Sequence, residues 1–220
     1  VLFRSLSWRA WIDFGTGSMG DMGCHILDPA FYALELGAPS EIQATSTHYI
    51  PEIESQTYPS ASIVRMTFPK RGNHPELKLT WSDGRIQPPI PDEFKNGEQF
   101  TLSGAMLIGD SGKITHGSHG AGGVKIIPEE KMLEYNQPKA YIPRVNTSHE
   151  KDWIRACKDG NPASSSFDYG GPLTEMVLLG MIAIRCKNQK LIWDSKNFKF
   201  KNNEKANSLL HKEYRKGWSL

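Results

Sequence analysis

The chain has little cysteine, no long apolar run and no excess of charge of either sign, and each shortage removes a class of function. Its three cysteines, Cys24, Cys157 and Cys186, stand too far apart for a disulfide framework or a zinc ribbon and read as reduced thiols. The longest apolar stretch, Met176 to Ile184, is too short to span a bilayer and contains Gly180, so it reads as a buried helix and no membrane segment is expected. Lysine and arginine total 26 against 24 acidic residues, a formal net charge of +2. The two signs are interspersed, which leaves no footprint for nucleic acid or a membrane surface and favours a small polar ligand or a protein partner. No G-x-G-x-x-G follows a strand pattern, so a self-contained dinucleotide-binding fold is not expected within this chain. An initiator methionine and a secretory leader are also missing from the opening Val1-Leu2-Phe3-Arg4-Ser5. The native start is therefore expected upstream, residues 1–7 are given no function, and the compartment stays open between cytoplasm and periplasm.

What is present suits one buried core: 220 residues, 38% of them hydrophobic. From Met19 to Leu36 the apolar residues recur at helical spacing, but Pro29 predicts a kink or two short helices, with Asp28 as the cap of the second. Alternating, β-branched segments follow at Glu41 to Tyr49, Ala61 to Phe68, Leu77 to Trp81, Phe100 to Ile108, Lys113 to His116 and Val124 to Ile127. Pro88, Pro89 and Pro91 make the stretch from Gln87 to Asp92 a loop. Helical patterns return at Ser148 to Lys158, with Trp153, Ile154 and Ala156–Cys157 on one face, and at Leu173 to Lys187, apolar nearly all round. Short strands at Leu191 to Trp193 and Phe198 to Phe200 and a polar helix from Ala206 to Arg215 complete the chain. The expected class is α+β: a mainly antiparallel open sheet of about six strands with helices on one face. The other face, with Ile63, Met66, Leu79 and Trp81 to place, is expected to be an interface, making the protein a homo-oligomer. If the polar set Ser62, Arg65, Thr67, Lys78 and Thr80 points outward instead, that face is wet.

The densest chemistry lies in Gly15-Thr16-Gly17-Ser18-Met19-Gly20-Asp21-Met22-Gly23-Cys24-His25. On a helix, Asp21 and His25 share a face, close enough for the carboxylate to hold the imidazole in one tautomer and raise its basicity. The glycines would admit backbone close to a ligand, and since Gly20 and Gly23 cost helix stability they need a reason beyond propensity. Spacing alone equally fits a plainer arrangement of helix carboxylate, half-buried histidine and packing glycines. A metal site from Asp21, Cys24 and His25, with His116 or His119 joining, is a further option that lacks a supporting ligand cluster.

The segment from Trp8 to Asp28, with its Trp-Arg pair, glycine triplet and Asp-x-Gly-x-His-x-x-Asp, resembles the signature that opens the C-terminal domain of Gfo/Idh/MocA family oxidoreductases. Similarity continues through Phe167-Asp168-Tyr169-Gly170-Gly171-Pro172-Leu173-Thr174-Glu175 and Glu213-Tyr214-Arg215-Lys216-Gly217-Trp218, so it runs from Trp8 to Trp218 and is nearest a Bacteroidetes and Planctomycetes type branch. Thr16 within the glycine triplet and Pro29 after the motif depart from the usual pattern. The resemblance implies a substrate-facing domain in which His25 is the acid/base at a sugar or polyol hydroxyl and Asp21 supports it. Arg9, Trp11, Gly17 and His119 would then shape the substrate site. It further implies NAD or NADP, bound mainly by an upstream Rossmann domain that would also carry the family's Glu-Lys-Pro segment, and association through the sheet. The single domain seen here would be inert alone. Two other functions stay open: an NAD-dependent glycosidase working by oxidation and elimination, and a non-catalytic sugar-binding or oligomerisation module.

Overall fold

The computed structural model describes residues 8–47, 50, 52, 55–94, 98–100 and 102–218. Residues 1–7, the end of the first expected strand at His48 and Tyr49, and Thr101 in the fourth lie outside them. After a 3₁₀ turn at Trp8–Ala10 the order is α1 (Gly17–Ala33), β1 (Glu41–Ser46), β2 (Ser62–Phe68), β3 (Leu77–Ser82), β4 (Gly104–Ile108), β5 (Lys113–Gly117) and β6 (Lys125–Ile127). Then come α2 (Glu129–Glu134), α3 (His149–Asp159), α4 (Phe167–Arg185), β7 (Lys190–Asp194), β8 (Lys199–Phe200) and α5 (Glu204–Ser208).

The α+β class holds, but the strands do not form one sheet of six. Five make an antiparallel sheet in the order β3-β2-β1-β7-β8, and β4-β5-β6 form a separate antiparallel ribbon. The C-terminal strands, expected as late additions, take one side of the main sheet through the β1–β7 register Ile42↔Leu191. Helix α4 packs on β1 and β2, with α1 alongside α4 and β4 against α1. The core between them contains Met19, Ile42, Ala44, Val64, Met66, Phe68, Met176, Leu179, Leu191 and Phe200, each at most 2% exposed.

Strand alternation then fixes both faces. Pairs Val64↔Trp81, Met66↔Leu79 and Ile42↔Met66 put Met66, Leu79 and Trp81 on the helix-covered side. The opposite face carries Gln43, Thr45, Arg65, Thr67, Lys78 and Thr80, relieved only by Ile63 and Ile192. The apolar patch expected there from Ile63, Met66, Leu79 and Trp81 therefore does not form, because Ile63 and Met66 differ in parity and cannot share a face. Of the expected polar set only Ser62 turns inward, where its amide and hydroxyl donate to Asp83 at 2.5 and 2.9 Å and Trp81 Nε1 donates to the same carboxylate at 2.9 Å.

Pro29 does not break α1, which runs unbroken through it. Asp28 is consequently no cap; it lies inside the helix, in its fourth turn, and accepts a hydrogen bond from the Tyr169 hydroxyl of α4. Burial, and then that bond, pushes the Tyr169 phenol well above its usual range. Gly20 and Gly23 find their reason at the α1–α4 crossing. A Cβ on Gly23 would sit 2.9 Å from both γ-methyls of Val177, and on the facing helix one on Gly180 2.4 Å from Met19 Sδ; one on Gly20 would meet first the Thr16 side chain at 2.3 Å and then Met181 Sδ at 2.8 Å. Small residues let two buried helices close up and bury their remaining apolar atoms at native density. The last turn of α1 is closed by Arg71, whose guanidinium donates to the Leu34 and Glu35 carbonyls at 2.8 to 3.0 Å.

Helix α4 begins six residues earlier than its apolar periodicity indicates, at Phe167, with Pro172 inside it. The terminal helix is shorter than expected, Glu204–Ser208, capped by Asn203, whose side chain accepts the Ala206 amide at 2.9 Å. The Pro88–Pro91 region is loop as expected. Helix α3 forms where its pattern indicates, with Ser148 at its N-cap and Gly160 in the left-handed conformation at its end. Its apolar residues are not core, however: Trp153 and Ile154 are 65% and 45% exposed, and the buried side chain is Asp152. Residues 129–151 are exposed throughout.

Candidate functional site

The expected site residues converge where the 3₁₀ turn, α1 and the β5–β6 connection meet. The chain enters through Trp11, whose backbone bridges Thr57, while the Ile12 amide donates to the Gln56 carbonyl at 2.9 Å and the Tyr58 amide to Ala10 at 2.7 Å. It then doubles back over Arg9 at Gly15, where a Cβ would fall 2.3 Å from the Arg9 carbonyl oxygen. That reversal brings the Arg9 guanidinium onto the Asp21 carboxylate, where Nη1 donates to Oδ2. Both side chains are around two-fifths exposed, so the pair positions its members more than it stabilises the fold, contributing up to about 1 kcal/mol.

His25 lies one turn further along α1, exposed. Among the described residues no hydrogen bond joins it to Asp21; the carboxylate is taken by Arg9. Its ring instead stacks on His119, with centroids 4.5 Å apart and planes 25° apart. His119 Nδ1 lies 2.9 Å from the Ser118 hydroxyl, and the His119 amide donates to the His25 carbonyl at 3.2 Å. Two exposed imidazoles, a fixed carboxylate and a guanidinium thus share one surface of α1. Such a set can exchange a proton with a hydroxyl and hydrogen-bond its neighbours.

Gly17 plays a different part from the one expected. It is buried at φ +65°, a left-handed conformation that favours glycine, and a Cβ would sit 2.6 Å from the Tyr58 ring. It seats the start of α1 against Tyr58 and has no surface for a substrate. Trp11 is half-buried, and the structure gives its indole no polar partner that would assign it to a ligand. His116 is also internal, 5% exposed, with Nδ1 donating to the Gly117 carbonyl at 2.8 Å. It does not join the exposed pair.

The metal option finds no support in the geometry. Among the described residues no group of three or more His, Cys, Asp or Glu side chains is placed to hold an ion. Cys24 is half-buried, and burial raises its thiol above the usual value, with the negative charge of Asp28 adding to the rise and a hydrogen bond with Thr174 opposing it. Among the described residues every paired strand is antiparallel, so no strand–loop–helix–strand unit offers a helix N-terminus to a pyrophosphate. Among the described residues no helix is long and apolar enough to cross a membrane.

Sequence reasoning missed two contacts that shape this surface: the His25–His119 stack and the Asp28–Tyr169 bond that ties α1 to α4. No periodicity reports either, because each joins segments far apart in the chain. No family model matches the sequence, and no curated protein matches it.

Proposed function

We propose that the chain is the substrate-facing catalytic domain of an NAD(P)-dependent oxidoreductase acting on a sugar or polyol hydroxyl, in the manner of the Gfo/Idh/MocA proteins its motifs resemble. The observation that carries the reading is the exposed His25 imidazole on α1, stacked on His119 beside the Arg9–Asp21 pair. A polyhydroxy ligand needs such a surface: one group to take a proton and several fixed donors and acceptors to select a hydroxyl.

His25 removes the hydroxyl proton, or returns it in the reverse direction. Asp21, held by Arg9, offers a fixed carboxylate one helical turn away to a neighbouring hydroxyl, and His119 flanks the reacting position. A bound NAD or NADP would supply the hydride acceptor, and the family resemblance assigns its site mainly to an upstream nucleotide-binding domain. This chain's share is to bind, orient and deprotonate.

The test is to join the chain to its upstream domain and present free sugars, polyols and glycosides with NAD or NADP. Net reduced cofactor from a free sugar or polyol supports the dehydrogenase. Glycoside cleavage without net reduction would support an NAD-dependent glycosidase instead, and no turnover of any of them, with sugar binding intact, would reduce the chain to a binding module.

A further inference from the structure

A helix carbonyl whose partner four residues on is proline has no amide to accept from. In α1 that carbonyl belongs to His25, since Pro29 holds the i+4 place. It accepts instead from the backbone amide of His119 at 3.2 Å, in the connection between β5 and β6. His119 stands at φ +56°, a conformation a non-glycine residue keeps only when something holds it, and its ring lies over that of His25. The Ser118 hydroxyl lies 2.9 Å from His119 Nδ1.

We propose that Pro29 is a positioning residue: by withholding one helix amide it recruits the His119 segment to α1 and builds a two-imidazole site from His25 and His119. The stacked second ring restricts how the first can turn, and it presents its own nitrogen edge to the polyhydroxy ligand. Only that last assignment rests on the oxidoreductase reading; the tether stands on the helix geometry. Without the proline the His25 carbonyl would be satisfied within α1, and the segment from Gly117 to Gly123 would lose this backbone tether to α1 while keeping its own Gly117 amide to Gly122 carbonyl bond at 2.7 Å.

The experiment is imidazole NMR on the histidine-labelled 220-residue chain and on Pro29→Ala, His119→Gly and the double variant. Pro29→Ala returns the competing amide, whereas His119→Gly keeps the tethering amide, tolerates the positive φ and removes only the ring. The expected result is that both single variants move the His25 ring resonances in the same direction and that the double adds nothing beyond His119→Gly. In Pro29→Ala the His119 amide should also exchange with solvent at least about tenfold faster. Unmoved resonances of His74, His149 and His211 in the same spectra show that the fold is intact. His25 resonances indifferent to Pro29→Ala but sensitive to His119→Gly would overturn the role of the proline, and indifference to both would remove the stack itself. None of these readouts uses turnover, so a native protein inert towards sugars would defeat the oxidoreductase reading and leave this one standing.

Discussion

Replacing Gly23 by alanine sets two effects against each other at the α1–α4 crossing. Helix propensity alone favours the change by about 1 kcal/mol, since glycine is the poorer residue in a helix interior. Packing opposes it: the new methyl would lie 2.9 Å from both γ-carbons of Val177, which is 2% exposed. A β-branched side chain within a helix has essentially one rotamer and cannot swing aside, so the helices must part or strain. Overpacking of this kind costs about 1–3 kcal/mol, and packing should win, leaving Gly23→Ala less stable by roughly 1 kcal/mol. For a chain of this size that is a fall in Tm of about 2–4 °C. Val177→Ala alone should cost about 2 kcal/mol for lost burial and cavity. The double variant should then be at least about 1 kcal/mol more stable than the two single changes added together, because the new methyl occupies vacated space. Urea unfolding of the four proteins measures the cycle. A stabilised Gly23→Ala, with additive effects in the double, would refute the close crossing and with it the explanation of the glycines.

Three further outcomes follow from other contacts. Arg71→Met should cost about 1–2 kcal/mol by thermal unfolding, because the Leu34 and Glu35 carbonyls lose the donor that closes α1; an unchanged midpoint would show that water satisfies them equally. Asp152 is held below the ordinary carboxylate range, first by the Ser164 amide and then by Arg155. Its contribution to anchoring α3 is therefore complete above about pH 4 and is lost as pH falls through its lowered folded value. Amide exchange across 150–158 should accelerate in that acid window, and Asp152→Asn should abolish the pH dependence; protection unchanged down to about pH 2 would contradict the anchor. Calorimetric titration of the 220-residue chain with NAD should give no measurable binding, and saturable tight binding would mean that the cofactor site lies in this chain after all.

Local patterns were legible in the sequence to the extent that one segment decides them. The α+β class, the presence of α3 within Ser148 to Lys158, and most strand positions follow from periodicity and turn residues. Pairing did not, because nothing within β4 to β6 reveals that they bond to one another while β7 crosses to β1. The fate of Pro29 was similarly hidden. A proline four residues after His25 reads as a break, whereas the helix runs on and the His25 carbonyl accepts from the amide of a distant residue, His119. The glycines of α1 were visible as an anomaly whose cause lay in Val177 and Met181 of another helix. In the candidate site, spacing put Asp21 and His25 on one face of a helix, but it could not tell that Arg9 would take the carboxylate. The amphipathic face of α3 misled in a different way, since Trp153 and Ile154 face outward and Asp152 inward.

The central claim, that His25 is the acid/base of this domain, is tested most directly by turnover and cofactor affinity of His25→Ala in the protein joined to its upstream domain. Loss of a positioned acid/base should lower kcat about a hundredfold or more while leaving the Kd for NAD(P) within about twofold. A His25→Ala protein that turns over its sugar at the native rate would contradict the account.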